Sequence, residues 1–410
     1  MGEEIARVSK SGVGALVLAE LVSVLGTRMT YLALPWFVLV TTGSAGKMSV
    51  ALAAELVPMA LLGVPSGTLV QRLGSRKTML VADFARAPLL ASIPLLHASG
   101  HLSFGLLLGV VFVLGCFMAP YFASQRVILP QLVGEDERLM SQANSLIEGG
   151  TGAALMLGPA VAGLLIPFLG APNVLYVDAA TYVVSFLLVL AFVPRPGARA
   201  AAEEEHGVLG GLRFLRHDPL LGPMALVVIG FGFVSGGFSA GLPVYAYDVF
   251  DGSARLAGLF YSALGAGAVV GSLVAVGAVR KIAPLRLSAF AILGFAAPMW
   301  VLPLLPPAPI VATALFVAMC FTPLINGPTL AVLTARTPES LRAKVMTAVV
   351  SINTVATPAG LLLSGQVLER WGVVPLFAGV ATGITLMGLA FFAILLRNRE
   401  ADVALEPVAC

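Results

Sequence analysis

The chain has 410 residues, 58% of them hydrophobic and 11% charged, with a formal net charge of +3 and a mean hydropathy of +0.97. A soluble domain carries about 25% charged residues to solvate its surface. Less than half of that excludes a soluble enzyme, and so small a net charge gives no reason to expect a nucleic-acid partner.

Apolar runs between charged or Pro/Gly breaks predict twelve membrane-spanning helices. They cover 12–41, 48–70, 78–98, 102–125, 140–168, 172–194, 221–248, 255–279, 285–305, 308–334, 345–368 and 373–396. The first run is too long for a leader peptide and holds Glu20 and Arg28, so it is expected to be a span. Of the 24 Lys and Arg, nineteen fall in the termini and loops of one side, from Arg7 and Lys10 to Arg397 and Arg399. Three (Lys47, Arg255 and Arg370) fall on the other side, and Arg28 and Arg86 lie within spans. This asymmetry predicts that both termini are cytoplasmic.

Within the first span, Glu20, Ser23, Thr27 and Tyr31 fall within about 80° of one another at the helical period. The stripe is expected to line a cavity, with Arg28 on its flank. Ionisable residues inside spans are costly and mark functional positions. Glu20 leads as the group that binds a proton or the cationic part of a substrate. The structural alternative is an ion pair of the Glu20–Arg28 kind between helices. Glu55 in the second span and Glu148 in the fifth are further coupling candidates, with Asn144 and Thr151 on the Glu148 face. Glu148 pairing with Arg28 or Arg86 is the alternative there. Asp178 in the sixth span is either functional or a structural hydrogen bonder. Trp36, Tyr121, Tyr245, Tyr247, Phe260 and Tyr261 either stack on a ligand or pack against neighbours and lipid.

The loop after the second span reads GTLVQRLGSRKTML. Gly67, Arg72, Gly74, Arg76 and Lys77 match a Gly, acid, Arg, Gly, basic pattern in which Gln71 occupies the acid position. Asp83, with Arg86 one turn on, is the candidate for the missing negative partner. The segment resembles the loop signature of the major facilitator superfamily. In that family the loop helps to stabilise one of two alternating conformations. The fifth span carries Gly150, Gly158, Pro159 and Gly163, which resembles the Gly-Pro motif of proton-coupled drug antiporters in the same superfamily. Pro159 removes one helix hydrogen bond, and the small residues allow close helix packing. LPQLVGEDERLMSQANSL, YVDAATYVVSFLL, GLRFLRHDPLLGPM, GLFYSALGAGAVVGSL and TPESLRAKVMT are similar to segments of bacterial macrolide and siderophore exporters. The fourth-span arginine of many drug antiporters is absent, and Arg126 lies too near the cytoplasmic end to replace it.

The resemblance implies an all-α membrane protein of about twelve helices in two six-helix halves, the major facilitator fold. The expected organisation is 1–194 as the N-terminal half, 195–220 as a cytoplasmic linker with an amphipathic surface helix, and 221–410 as the C-terminal half with a short tail. The acidic run Glu203–Glu205 is expected to be a solvated face. The resemblance further implies a secondary efflux transporter in a bacterial inner membrane, monomeric, exchanging protons for a small amphipathic compound. The alternative is a transporter of the same fold for an endogenous lipid, siderophore or metabolite, including uptake or facilitated diffusion. No cofactor or metal is expected. GSAGKMS at 43–49 lacks phosphate-loop spacing, and His97, His101, His206 and His217 have no metal-ligand spacing. Cys116, Cys320 and Cys410 form no framework and are expected to be inert buried thiols.

Overall fold

A computed structural model describes residues 2–134, 136–195 and 208–397. Glu203–Glu205, Arg199, His206, Arg399 and Cys410 lie outside the described residues. Among those described the regular structure is helical: α1 (Gly2–Thr42), α2 (Ala45–Leu73), α3 (Ser75–Ala98), α4 (Phe104–Val133), α5 (Glu137–Leu169), α6 (Ala171–Phe192), α7 (Val208–His217), α8 (Leu221–Val249), α9 (Ala254–Ala278), α10 (Pro284–Met299), α11 (Ala308–Cys320), α12 (Thr322–Arg336), α13 (Glu339–Trp371) and α14 (Val373–Arg397). Twelve segments are long and apolar enough to cross a membrane. The chain is thus a multi-pass membrane protein, as the apolar runs predict.

Two spans are interrupted where the sequence reads as continuous. The ninth is α10 followed by a 3-10 turn, Leu302–Leu304, that ends on Leu305 in a left-handed conformation, φ 51°. The tenth breaks at Phe321 between α11 and α12. Pro323 explains that break. It has no N–H for an intrahelical bond, and its ring would clash with the carbonyl four residues back, so it starts a new helix instead. Helix starts are set by short polar side chains. Ser103 accepts from the Leu106 N–H at 3.2 Å, Asp136 from Leu139 at 2.9 Å and Ser253 from Leu256 at 3.3 Å. Each satisfies a donor that the first helical turn leaves unpaired. Gly74, at φ 84°, makes the one-residue turn between α2 and α3.

The chain divides into two compact units, Met1–Gly43 with Val50–Glu203, and Ser44–Ser49 with Glu204–Cys410. In the first unit α1 packs along α6 and α5, and α3 along α6 and α4. In the second, α8 packs along α13 and α14, and α10 along α14 and α12. These are the same pairings six spans later. Glycines make the closest crossings. In the first unit, a Cβ at Gly150 would collide with the Leu21 side chain, and one at Gly158 with Arg28 Cβ and the Leu25 carbonyl. In the second unit, a Cβ at Gly236 would collide with the Thr357 carbonyl, and one at Gly360 with the Phe233 carbonyl. Without hydrophobic drive inside lipid, such backbone approach is a main source of helix affinity.

The amphipathic linker helix α7 lies against α13. Gly211 faces the Lys344 carbonyl, and Leu215 is buried. Several aromatic candidates for ligand stacking are instead packed. Tyr245 donates to the Leu302 carbonyl at 3.0 Å and meets the Phe377 ring edge-on at 5.2 Å. Phe260 packs on Phe250 at 5.6 Å, and Trp36 is buried. Cys116 and Cys320 are free and half-buried rather than fully enclosed, because each lies on a helix flank only partly covered by neighbours.

Candidate functional site

The loop motif begins the site's scaffold. Gln71, Arg72, Gly74 and Lys77 are exposed and Gly67 is partly covered. Arg76 turns inward. Its Nε donates to the Val193 carbonyl at 2.7 Å and its Nη2 to the Leu190 carbonyl at 2.8 Å. The guanidinium thus caps the end of α6, where carbonyls lack partners and the helix dipole is negative. Arg76→Ala should lower stability by about 1 kcal/mol after solvent screening. The melting temperature of purified protein would fall by about 2–4 °C, and an unchanged melt would show that this cap contributes nothing.

Asp83 does not serve those loop cations. It lies about two helix turns deeper, 0% exposed, and faces its own helical neighbour: Arg86 Nη1 is 3.7 Å from Asp83 Oδ1. Ser185 of α6 donates to Asp83 Oδ2 at 2.7 Å. Arg86 is 4% exposed and does more than pair with Asp83. Its Nη2 donates to the Tyr182 hydroxyl at 2.7 Å, and its Cζ sits 4.0 Å from the Tyr182 ring centroid and 5.1 Å from that of Tyr121. Two aromatic faces and a carboxylate offset the cost of burying the cation.

The α1 stripe meets this cluster rather than opening to a cavity at Glu20. Glu20 and Ser23 are each 2% exposed, because Leu16, Val17 and Ala19 belong to one apolar core with Met79, Ala82 and Tyr121. Thr27 donates to the Ser23 carbonyl at 2.9 Å and lies 3.1 Å from the Tyr182 hydroxyl. Thr30 donates to Asp178 Oδ2 at 2.5 Å, and Thr181 to Asp178 Oδ1 at 3.0 Å. Asp178 thus accepts hydrogen bonds from α1 and from its own helix. Tyr31 is half-buried, with Arg28 stacked over its ring at 5.2 Å. Glu20 and Arg28 form no ion pair; they are eight residues apart on one helix, about 12 Å of rise.

Three buried oxygens in this region have no hydrogen-bond partner among the described residues: Glu20 Oε1, Asp83 Oδ1 and the Tyr121 hydroxyl. Tyr121 lies within electrostatic reach of both carboxyls and of Arg86. Buried polar atoms are nearly always satisfied, so orphans mark places where something else binds or exchanges.

Glu55 joins the cluster from α2, half-buried and within electrostatic reach of Arg86 and Asp178. The α4 glycine Gly115 makes room for the Glu55 carbonyl, where a Cβ would collide. Glu148 and Asn144 are not brought in. Both lie on an exposed face of α5, Thr151 is half-buried, and Glu148 pairs with neither Arg28 nor Arg86. Pro159 is buried in an α5 that continues through it, beside buried Gly158 and Gly163. The residues that sequence reasoning did not assemble are Tyr182, Ser185 and Tyr121. A signal existed: Asp178, Tyr182 and Ser185 recur at four- and three-residue spacing along α6, which puts them on one face.

Residues 16–361 match the sequence profile of the Major Facilitator Superfamily. The chain is 28% identical over 410 residues to the multidrug efflux pump Tap of Mycolicibacterium fortuitum, covering 96% of this chain and 97% of that one. It is 22% identical to macrolide efflux protein A of Streptococcus pyogenes, covering 86% and 88%. Its fold is similar to the crystal structure of a mutant of nucleoside transporter NupG, with a TM-score of 0.82 at 11% identity, covering 93% of this chain and 99% of that one.

Proposed function

Because the chain belongs to the Major Facilitator Superfamily, and is a transporter rather than an enzyme, we propose that it exports small amphipathic compounds in exchange for protons by alternating access. Direction and substrate class rest on the similarity to efflux pumps. The reading places the protein in the cytoplasmic membrane with both termini inside, following the basic side of the loops. It works as a monomer.

One observation carries the proton coupling. Glu20 is buried in α1 with Oε1 lacking a donor. An ionised carboxylate in that setting is expensive, whereas a carboxyl that takes and releases a proton has a use for an empty lone pair. Thr27 and the Tyr182 hydroxyl continue the polar path along α1. Secondary transporters of this architecture move substrate between their two halves near the membrane midplane.

Cells expressing the wild-type protein should accumulate several-fold less of a lipophilic cationic dye or macrolide than cells without it. An uncoupler and the Glu20→Gln substitution should each abolish the difference. If every strain accumulates every compound equally while the protein is verified in the membrane, drug export is wrong. The reading then passes to a dedicated metabolite or lipid substrate.

A further inference from the structure

The ion pair on α3 and the Glu20 helix α1 are joined by an unbroken run of polar contacts through α6. Asp83 Oδ2 accepts from Ser185, and Asp83 Oδ1 faces Arg86 at 3.7 Å. Arg86 donates to the Tyr182 oxygen at 2.7 Å. Tyr182 and Thr27 hydroxyls are 3.1 Å apart, and Thr27 sits 2.9 Å from the Ser23 carbonyl. Proton counting gives the run a direction. The Ser23 carbonyl can only accept, so Thr27 gives its single proton there. Arg86 can only donate, so the Tyr182 oxygen accepts from it. The Tyr182 proton is then shared between the Thr27 contact and the Asp178 carboxyl, which also draws on it. All three bonds point from α3 to α1, and Ser23 lies one turn from Glu20.

We propose that Arg86, Tyr182 and Thr27 form a relay that reports the protonation of a second buried carboxyl, Asp83, to the Glu20 face of α1. Tyr182 is its central positioning residue. The relay rests on Glu20 as the coupling carboxyl of the exporter. A proton arriving at Asp83 forms an O–H bond at Oδ1, the oxygen without a donor. Asp83 goes from charge −1 to 0, and with the charge goes its attraction for Arg86, the one cation beside it among the described residues. The guanidinium keeps its hydrogen bond and its 4.0 Å ring contact with Tyr182, so it is drawn toward Tyr182. Movement there is felt at once by Thr27. Asp83 is within electrostatic reach of Arg86 and Asp178, and Tyr121 of Asp83 and Glu20; Arg86 also reaches Tyr31, Glu55 and Tyr182, and Arg28 lies beside Tyr31. Asp178 is held by Thr30 and Thr181 and also draws on the Tyr182 hydroxyl, and the Tyr121 hydroxyl has no partner at hydrogen-bond geometry among the described residues. Tyr182 is the one among them hydrogen-bonded to both Arg86 and α1.

The test is an infrared pH titration of the carboxyl bands of the full-length protein in lipid, with no substrate present. It therefore fails or succeeds separately from the export reading. Glu20→Gln and Asp83→Asn assign the two bands. Asp83→Asn is expected to move the Glu20 titration midpoint by about half a pH unit or more, within the ordinary spread of neighbouring-charge effects. Tyr182→Phe keeps the ring beside Arg86 and removes the hydroxyl. It should cut that displacement to less than half, as a double-mutant cycle reads it. Thr27→Val breaks the run at its other end without touching a buried charge, and should do the same if Tyr182→Phe folds poorly. A displacement of undiminished size in both variants, or no displacement in the wild-type background, overturns the relay.

Discussion

A leucine at Gly360 should leave almost no folded protein in the membrane. The Cβ would collide with the Phe233 carbonyl, and Gly236, one turn from Phe233, is pressed against the Thr357 carbonyl in the same way. Backbone cannot rotate aside as a side chain does, so α8 and α13 must separate along their whole crossing. Overpacking in a core costs about 1–3 kcal/mol where side chains can yield, and more is expected here. The check is the yield of monodisperse protein by size exclusion, with Gly379→Leu alongside. No atom lies within 4 Å of a Cβ at Gly379, so that variant should match wild type. Equal yields of the two would mean that the α8–α13 crossing tolerates a wider spacing than its glycines imply.

The second large effect is expected at Arg86. Arg86→Met keeps much of the side chain's bulk and removes its charge, which leaves Asp83 buried at 0% exposure with no cation beside it. Breaking a buried pair in this way costs about 3–5 kcal/mol. The melting temperature should fall by about 10 °C or more. Adding Asp83→Asn removes the stranded charge and should recover most of the loss, while transport stays impaired because both ends of the pair are gone. If Arg86→Met alone melts like the wild type, Asp83 is already neutral in the resting protein and the pair within α3 contributes nothing to its stability.

The spans were legible because a bilayer imposes one length and one composition on each of them. The predicted runs and the observed helices agree except where local chemistry intervenes. Pro323 splits the tenth span, and α4 continues past Ser124 and Arg126 to Val133 because the next glycine, Gly134, comes only there. The site was legible in its parts but not in its assembly. Glu20, Glu55, Asp83 and Arg86 stand out as ionisable residues in apolar runs. Which of them meet depends on how α1, α3 and α6 are rotated about their axes, and apolar residues all round a helix leave that rotation unmarked. Thus sequence proximity makes Asp83, with Arg86 one turn on, a candidate partner for the loop cations, while in the fold it meets Arg86 and the more distant Ser185. Glu148 reads in sequence like the other acids within apolar runs, but it lies on an exposed face of α5. The glycines on α5 were readable as a packing seam, and they do press on Leu21 and Arg28.

Among the described residues, buried charge is confined to one unit. Among the described residues, the buried charged side chains are Glu20, Asp83, Arg86 and Asp178, all in the first, while the second buries only hydroxyls such as Ser288, Thr337 and Ser364. An electric potential across the bilayer does work only on charges that lie or move within it, about 2.3 kcal/mol per elementary charge for each 100 mV. The cell's voltage therefore finds its buried handles, among the described residues, on the N-terminal unit, and the described interior of the C-terminal unit offers it none.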